Sequence, residues 1–215
     1  MKKQELLLKE EINRINEMAG RNPTTGKHLV VIDIQPEYQG DFNDWWYDFA
    51  KYINNNYKRM ARLTFMFNGS NTVGEMDQNQ YMDWLIENGI KEDVFEYADF
   101  FDKGYAFFRY CIDNRIEEDQ IVNLVKFMIE KNVNDSRDIT EEFWNEFVEK
   151  YGSQQVRELV ELSDDCVNIP DLMDEIRPYG NIVLCGGGVN ECMKEVEIAL
   201  KALNKPYNVL TQFTY

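Results

Sequence analysis

The sequence predicts an α/β protein: a three-layer α/β/α domain built on a mainly parallel sheet. Short, almost wholly apolar runs at 28–33 and 181–185 have the character of strands buried on both faces. Segments whose apolar residues recur with a period near 3.6 alternate with these runs at both ends of the chain. A mostly helical stretch from about 111 to 164 lies between the two alternating ends and reads as an insertion in one domain.

In chain order, Leu8, Ile12, Ile15 and Ala19 recur at three- and four-residue spacing before Gly20. Residues 1–20 are therefore expected to form an amphipathic N-terminal helix, and 21–215 a single α/β domain. Pro23 and Gly26 break the chain before the first strand, HLVVID. Trp46, Phe49, Ala50, Ile53, Tyr57 and Met60 predict a helix over 44–61, and Leu63 to Phe67 a second strand. Met82, Leu85 and Ile86 mark a helix over 79–88 that ends at Gly89. Ile121, Val122, Val125, Met128 and Ile129 mark another over 118–131.

Thr140 and Ser153 are candidate N-caps for helices filling 140–161, with Phe143, Phe147 and Tyr151 on one stripe. The aromatics Phe143, Trp144 and Phe147 read either as packing against the main body or as a lid or dimer contact. A short helix at 171–177 precedes the strand 181–185, and Asn190 is expected to cap a helix running to Leu203. Tyr207 to Phe213 is expected to be a last strand. The pattern as a whole is Rossmann-like.

Composition narrows the function classes. With 23 Lys and Arg against 39 Asp and Glu the formal charge is −16, which opposes nucleic-acid backbones, where affinity comes from cations. Apolar residues at 44% and only 12 Gly and 5 Pro are enough for a packed core and exclude wholesale disorder. No apolar run approaches the roughly 20 residues that span a bilayer, so no membrane partner is expected. The first twenty residues lack an apolar h-region, and the expected location is cytoplasmic. Cys111, Cys166, Cys185 and Cys192 form no CxxC pair, and His28 is the single histidine. Neither a disulfide scaffold nor a metal centre is expected, and His28 reads as structural.

Three segments could carry chemistry. LCGGGVNECM, residues 184–193, joins a buried strand to a helix through three glycines. Ligands bind outside the carboxyl ends of strands in an open α/β sheet, and glycines let the backbone approach them. Cys192 falls in the first turn of that helix, where the macrodipole favours a thiolate, though it also fits as a small buried apolar residue. Asp33 ends the first strand, and reads either as a base placed to take a thiol proton or as a loop carboxylate. Lys103 stands among aromatics in FFDKGYAFFR, either snorkelling at the surface or buried against partners that a carboxylate and a thiolate would supply. Asn68, Ser70 and Asn71, beyond the second strand, could hold a polar substrate group or make an Asx-turn with Gly69.

Together these segments resemble the isochorismatase-like cysteine hydrolases. The resemblance rests on Asp33-Ile34-Gln35 with Tyr38 nearby, on Lys103 with Tyr105 and Phe107, and on Gly186 to Met193, which keeps the Gly-to-Cys spacing with Asn190 inside it. Val189 and Met193 stand where that family has Thr and Val, and Gln212 where it commonly has Asp. The resemblance implies a catalytic triad of Asp33, Lys103 and Cys192, with a small-molecule amide or related C–N or C–O bond as substrate. It further implies no cofactor, and an oxyanion and substrate site around Gly188, Val189, Asn190, Gln35 and Asn68. The Gly188–Val189 peptide would be cis, with the Val189 and Cys192 N–H groups as oxyanion donors. The metal cluster of the nicotinamidases in that family has no counterpart, since His28 stands alone. Two non-catalytic readings stay open: a phosphate or nucleotide nest at the glycine turn, and an assembly protein that forms a homo-oligomer through its N-terminal helix and helical insertion.

Overall fold

A computed structural model of the chain describes residues 26–69, 76–103, 115–133, 138–152, 154, 155, 157 and 168–215. The expected N-terminal helix, the second half of the lysine segment with Tyr105 and Phe107, Ser70, Asn71, Cys111, Ser153 and Cys166 lie outside them.

Five parallel strands form the sheet: β1 (His28–Ile32), β2 (Arg62–Phe67), β3 (Ala98–Asp102), β4 (Ile182–Gly186) and β5 (Tyr207–Val209). Their order is β3-β2-β1-β4-β5, so the chain builds outward from β1 on one side and then returns to its other side. That makes β1 the central strand and explains its apolar run from Leu29 to Ile32: every residue of HLVVI is buried. β4 is buried in the same way, with Ile32 in register with Gly186.

Side chains alternate between the two faces of the sheet. Leu29, Val31, Phe65, Val183 and Cys185 meet α1 (Gln39–Asn56) and α2 (Gln78–Glu87) through Phe42, Phe49, Ile53, Tyr81 and Leu85. Val30, Ile32, Met66, Ile182 and Leu184 meet α3 (Glu118–Glu130), α4 (Glu141–Tyr151), α5 (Asn168–Ile176) and α6 (Cys192–Ala202). The result is the three-layer α/β/α arrangement expected. The helices expected as an insertion belong to one continuous hydrophobic cluster with the sheet, and Phe143, Trp144 and Phe147 are buried around Phe127 rather than presented as a lid.

Local signals behave largely as their chemistry requires. The Thr140 hydroxyl accepts the Phe143 N–H at 3.2 Å and opens α4, which closes at Gly152 with φ 68. Asp77 and Gln80 form a reciprocal capping box on α2.

Several boundaries differ from expectation. α1 begins at Gln39 and ends at Asn56, because Tyr57–Arg59 tightens into a 3₁₀ turn. The last strand stops at Val209, and Thr211–Phe213 is a 3₁₀ turn that carries Phe213 back against Phe49 and Tyr52. Asn190 does not cap the final helix: Glu191 occupies that position, with no side-chain cap. β3 has no counterpart in the sequence reading. It is an edge strand of sequence ADFFD, half exposed, and so lacks the apolar run by which buried strands announce themselves. Among the described residues no helix is long and apolar enough to cross a membrane.

Candidate active site

The reversal of strand order falls between β1 and β4, and in open α/β sheets a crevice opens there beyond the strand ends. Asp33 leaves β1 and the glycine turn leaves β4 at that crevice, while Lys103 leaves the edge strand β3.

Each side chain is placed by a specific local device. Asp33 donates its N–H to Met66 O at 2.9 Å and adopts φ 46, the left-handed region that Asp tolerates better than most residues. Lys103 donates its N–H to Phe67 O at 2.9 Å, which places this residue at the end of β2. At the turn, Gly186 has φ 79, and a Cβ there would lie 2.3 Å from Ile32 O, so only glycine lets β4 end this close to β1. Gly187, at φ 52, brings the chain round to the start of α6.

These devices bring the three predicted residues together. Lys103 Nζ lies 2.9 Å from Asp33 Oδ2, with both side chains almost fully enclosed. Burial alone would lower the Lys103 ammonium, but the carboxylates of Asp33 and Glu195 override it and hold the group protonated well above its usual range. Cys192 is 9% exposed and lies beside the same carboxylate. Burial pushes its thiol up, and Asp33, by charge and by hydrogen bonding, adds to that; Lys103 pulls the other way and does not win. The helix dipole therefore does not make a resting thiolate. Asp33 Oδ1 is buried without a well-aligned hydrogen-bond partner, which leaves it as the acceptor nearest in kind to what a departing thiol proton needs.

Glu195 is the member that the sequence reading missed. Its Oε2 accepts from Lys103 Nζ at 2.7 Å, and it is 1% exposed. The signal was its position three residues after Cys192, on the same face of α6. One ammonium thus faces two carboxylates and a thiol.

The predicted oxyanion and substrate residues are arranged differently. All peptide bonds among the described residues are trans, so the expected cis bond at Gly188–Val189 is not formed. The Val189 N–H donates to Tyr215 O at 2.9 Å and is thereby occupied, whereas the Cys192 N–H belongs to the first helical turn, which has no intrahelical acceptor to offer it. Tyr215 also donates its hydroxyl to Asp33 O at 3.1 Å, spanning the two halves of the crevice. Gly188 accepts from Glu191 and Met193 and shapes the turn, and Asn190 lies exposed on it.

Gln35 is buried and works as a brace. Its Oε1 accepts the Asn68 N–H at 2.9 Å, and its Nε2 donates to Glu37 at 3.0 Å and to Asn68 O at 3.4 Å. Gln35 and Asn68 thus fasten the ends of β1 and β2 to each other at the rim.

His28 sits at the far end of β1, its Nε2 3.0 Å from Thr64 Oγ1 and its ring against Tyr179. Among the described residues no group of three or more His, Cys, Asp or Glu side chains could hold a metal ion. A surface depression of about 550 Å³, lined by Asn79, Met82, Ile86 and Phe95 among others, includes none of the residues above. Compared with protein-family models, curated proteins and solved structures, the chain finds no match.

Proposed function

We propose that this protein is a cysteine hydrolase that cleaves a small amide or a related C–N or C–O bond, using Cys192 as nucleophile, Asp33 as proton carrier and Lys103 as the fixed cation. The observation that carries the reading is the meeting of Asp33, Lys103 and Cys192, from three distant stretches of chain, at the crevice between β1 and β4.

The chemistry balances with these groups alone. As Sγ forms a bond to the substrate carbonyl carbon, the thiol proton passes to Asp33, and the carbonyl electron pair moves onto oxygen. The Cys192 N–H and the start of α6 oppose the charge that develops there. Collapse of the tetrahedral species breaks the bond to the leaving nitrogen or oxygen, which takes the proton from Asp33. Water then attacks the thioester, gives a proton to Asp33, and the sulfur departs and recovers it. Lys103 keeps its own proton throughout and holds the carboxylate in place.

A non-catalytic role is favoured by one observation, the enclosure of Cys192 as a protonated thiol. The phosphate nest is disfavoured, because the Glu191 side chain lies against Gly188 in the turn that would hold the anion, and the carboxylates of Asp33 and Glu195 stand at Lys103 beside Cys192. The test is ammonia release from a panel of small primary amides and ureides, paired with intact-mass detection of a thioester on Cys192. Turnover should vanish in Cys192→Ala; turnover that persists in that variant overturns the reading.

A further inference from the structure

Glu195 has no place in the mechanism just given, yet it is as deeply buried as Asp33 and closer to Lys103. A carboxylate is removed from water at a cost of several kcal/mol unless it is paired. Asp33 and Glu195 are both withdrawn from water here and share the Lys103 ammonium, beside the Cys192 thiol.

We propose, on the basis of the hydrolase reading above, that Glu195 is a positioning residue. It holds Lys103 Nζ from the α6 side and takes a share of its charge, so that the Cys192 proton leaves for Asp33 only as a substrate arrives.

The geometry gives the reasons. Cys192 and Glu195 are three residues apart on α6, so the helix that aims the sulfur also aims the second carboxylate. Without Glu195 the ammonium would serve only Asp33 and the sulfur. The charge beside the sulfur would then favour its ionisation, and the site would hold a permanent thiolate open to oxidation and alkylation. Among the described residues, the phenols facing the cluster are Tyr81, whose hydroxyl is bonded to Ile34 O, and Tyr215, whose hydroxyl is bonded to Asp33 O. Burial pushes both phenols up, so neither ionises in the range where the thiol is tested.

The experiment is the pH profile of iodoacetamide alkylation at Cys192, read by peptide mass, for the full chain and for the Glu195→Gln and Glu195→Asp variants. In Glu195→Gln the profile should move to lower pH by one unit or more, making alkylation at pH 7 roughly tenfold faster. Glu195→Asp, which keeps the charge, should follow the unsubstituted protein. A salt bridge with only a structural role would lower the melting temperature and leave the profile in place. An unmoved Glu195→Gln profile, or one that Glu195→Asp matches, overturns the proposal.

The unsubstituted protein supplies a second test, should the variants not fold: its alkylation midpoint must lie above the free-thiol value of about 8.5, and a midpoint at or below it overturns the proposal. The two readings fail separately. Persistent turnover in Cys192→Ala removes the hydrolase and leaves the alkylation shift, whereas an unmoved profile removes the role of Glu195 and leaves the hydrolase.

Discussion

Lys103 and Asp33 meet at 2.9 Å although they leave the sheet from β3 and β1, strands that are not neighbours. The lysine reaches over the end of β2 to do so, and its backbone N–H is tied to Phe67 O on the way. This contact joins the edge of the sheet to its centre.

Lys103→Met removes the cation that the buried Asp33 and Glu195 carboxylates share. Breaking a buried pair by removing one partner costs about 3–5 kcal/mol, because a buried charge loses its counter-ion. Urea unfolding should show a loss of that order; a loss under about 1 kcal/mol would mean that water reaches the cluster.

Asp33→Asn separates reactivity from catalysis. Asn tolerates the left-handed φ of this position, so the backbone should hold. The variant cannot carry a proton, and turnover should fall by roughly 10²–10⁴. Alkylation of Cys192 should not slow, since the Asp33 charge opposes thiolate formation. Slower alkylation with turnover retained contradicts the assignment of Asp33 as proton carrier.

Gly186→Ala should disable the turn. Alanine at φ 79 is strained, and its Cβ would lie 2.3 Å from Ile32 O, so β4 and β1 must part. A cost of about 2 kcal/mol or more is expected, visible as a lowered melting temperature. Gly89→Ala, at φ 99 but in open space, isolates the strain from the clash and should cost less.

His28 makes the fold acid-sensitive. Burial first, then the nearby charges of Arg62 and Lys205, lower its pKa to about 3, from an ordinary imidazole's 6.5. Between those values the unfolded chain binds a proton that the folded one does not, so stability is full above pH 6.5 and is lost as the pH falls. At pH 5 the loss from this residue is about 2 kcal/mol. His28→Gln should remain better folded than the unsubstituted protein as the pH drops from 6.5 to 5; parallel stability curves would show that His28 does not control this range.

Much of the architecture was legible because buried strands and amphipathic helices write their environment into composition. LVVI, after His28, and IVLCG have no polar interruption since sheet neighbours and helices cover them on every side. β3 was not legible for the opposite reason: an edge strand needs no continuous apolar run, and Asp99 and Asp102 serve Arg62 and Gly69 instead. The ends of the last helix and the last strand also escaped, because they depend on where the chain turns back against Phe49 and Tyr52.

By itself the sequence determined the layered α/β class and three of the residues in the cluster, since a strand-end acid, a lysine among aromatics and a cysteine after a glycine turn each leave a local trace. Tertiary structure alone decided that Lys103 is shared between Asp33 and Glu195, that the Gly188–Val189 peptide is trans, and that the Val189 N–H is occupied by Tyr215. The physical reason is range: periodicity and caps act within a few residues, whereas a buried charge is settled by whatever distant side chains the fold brings within about 3 Å of it.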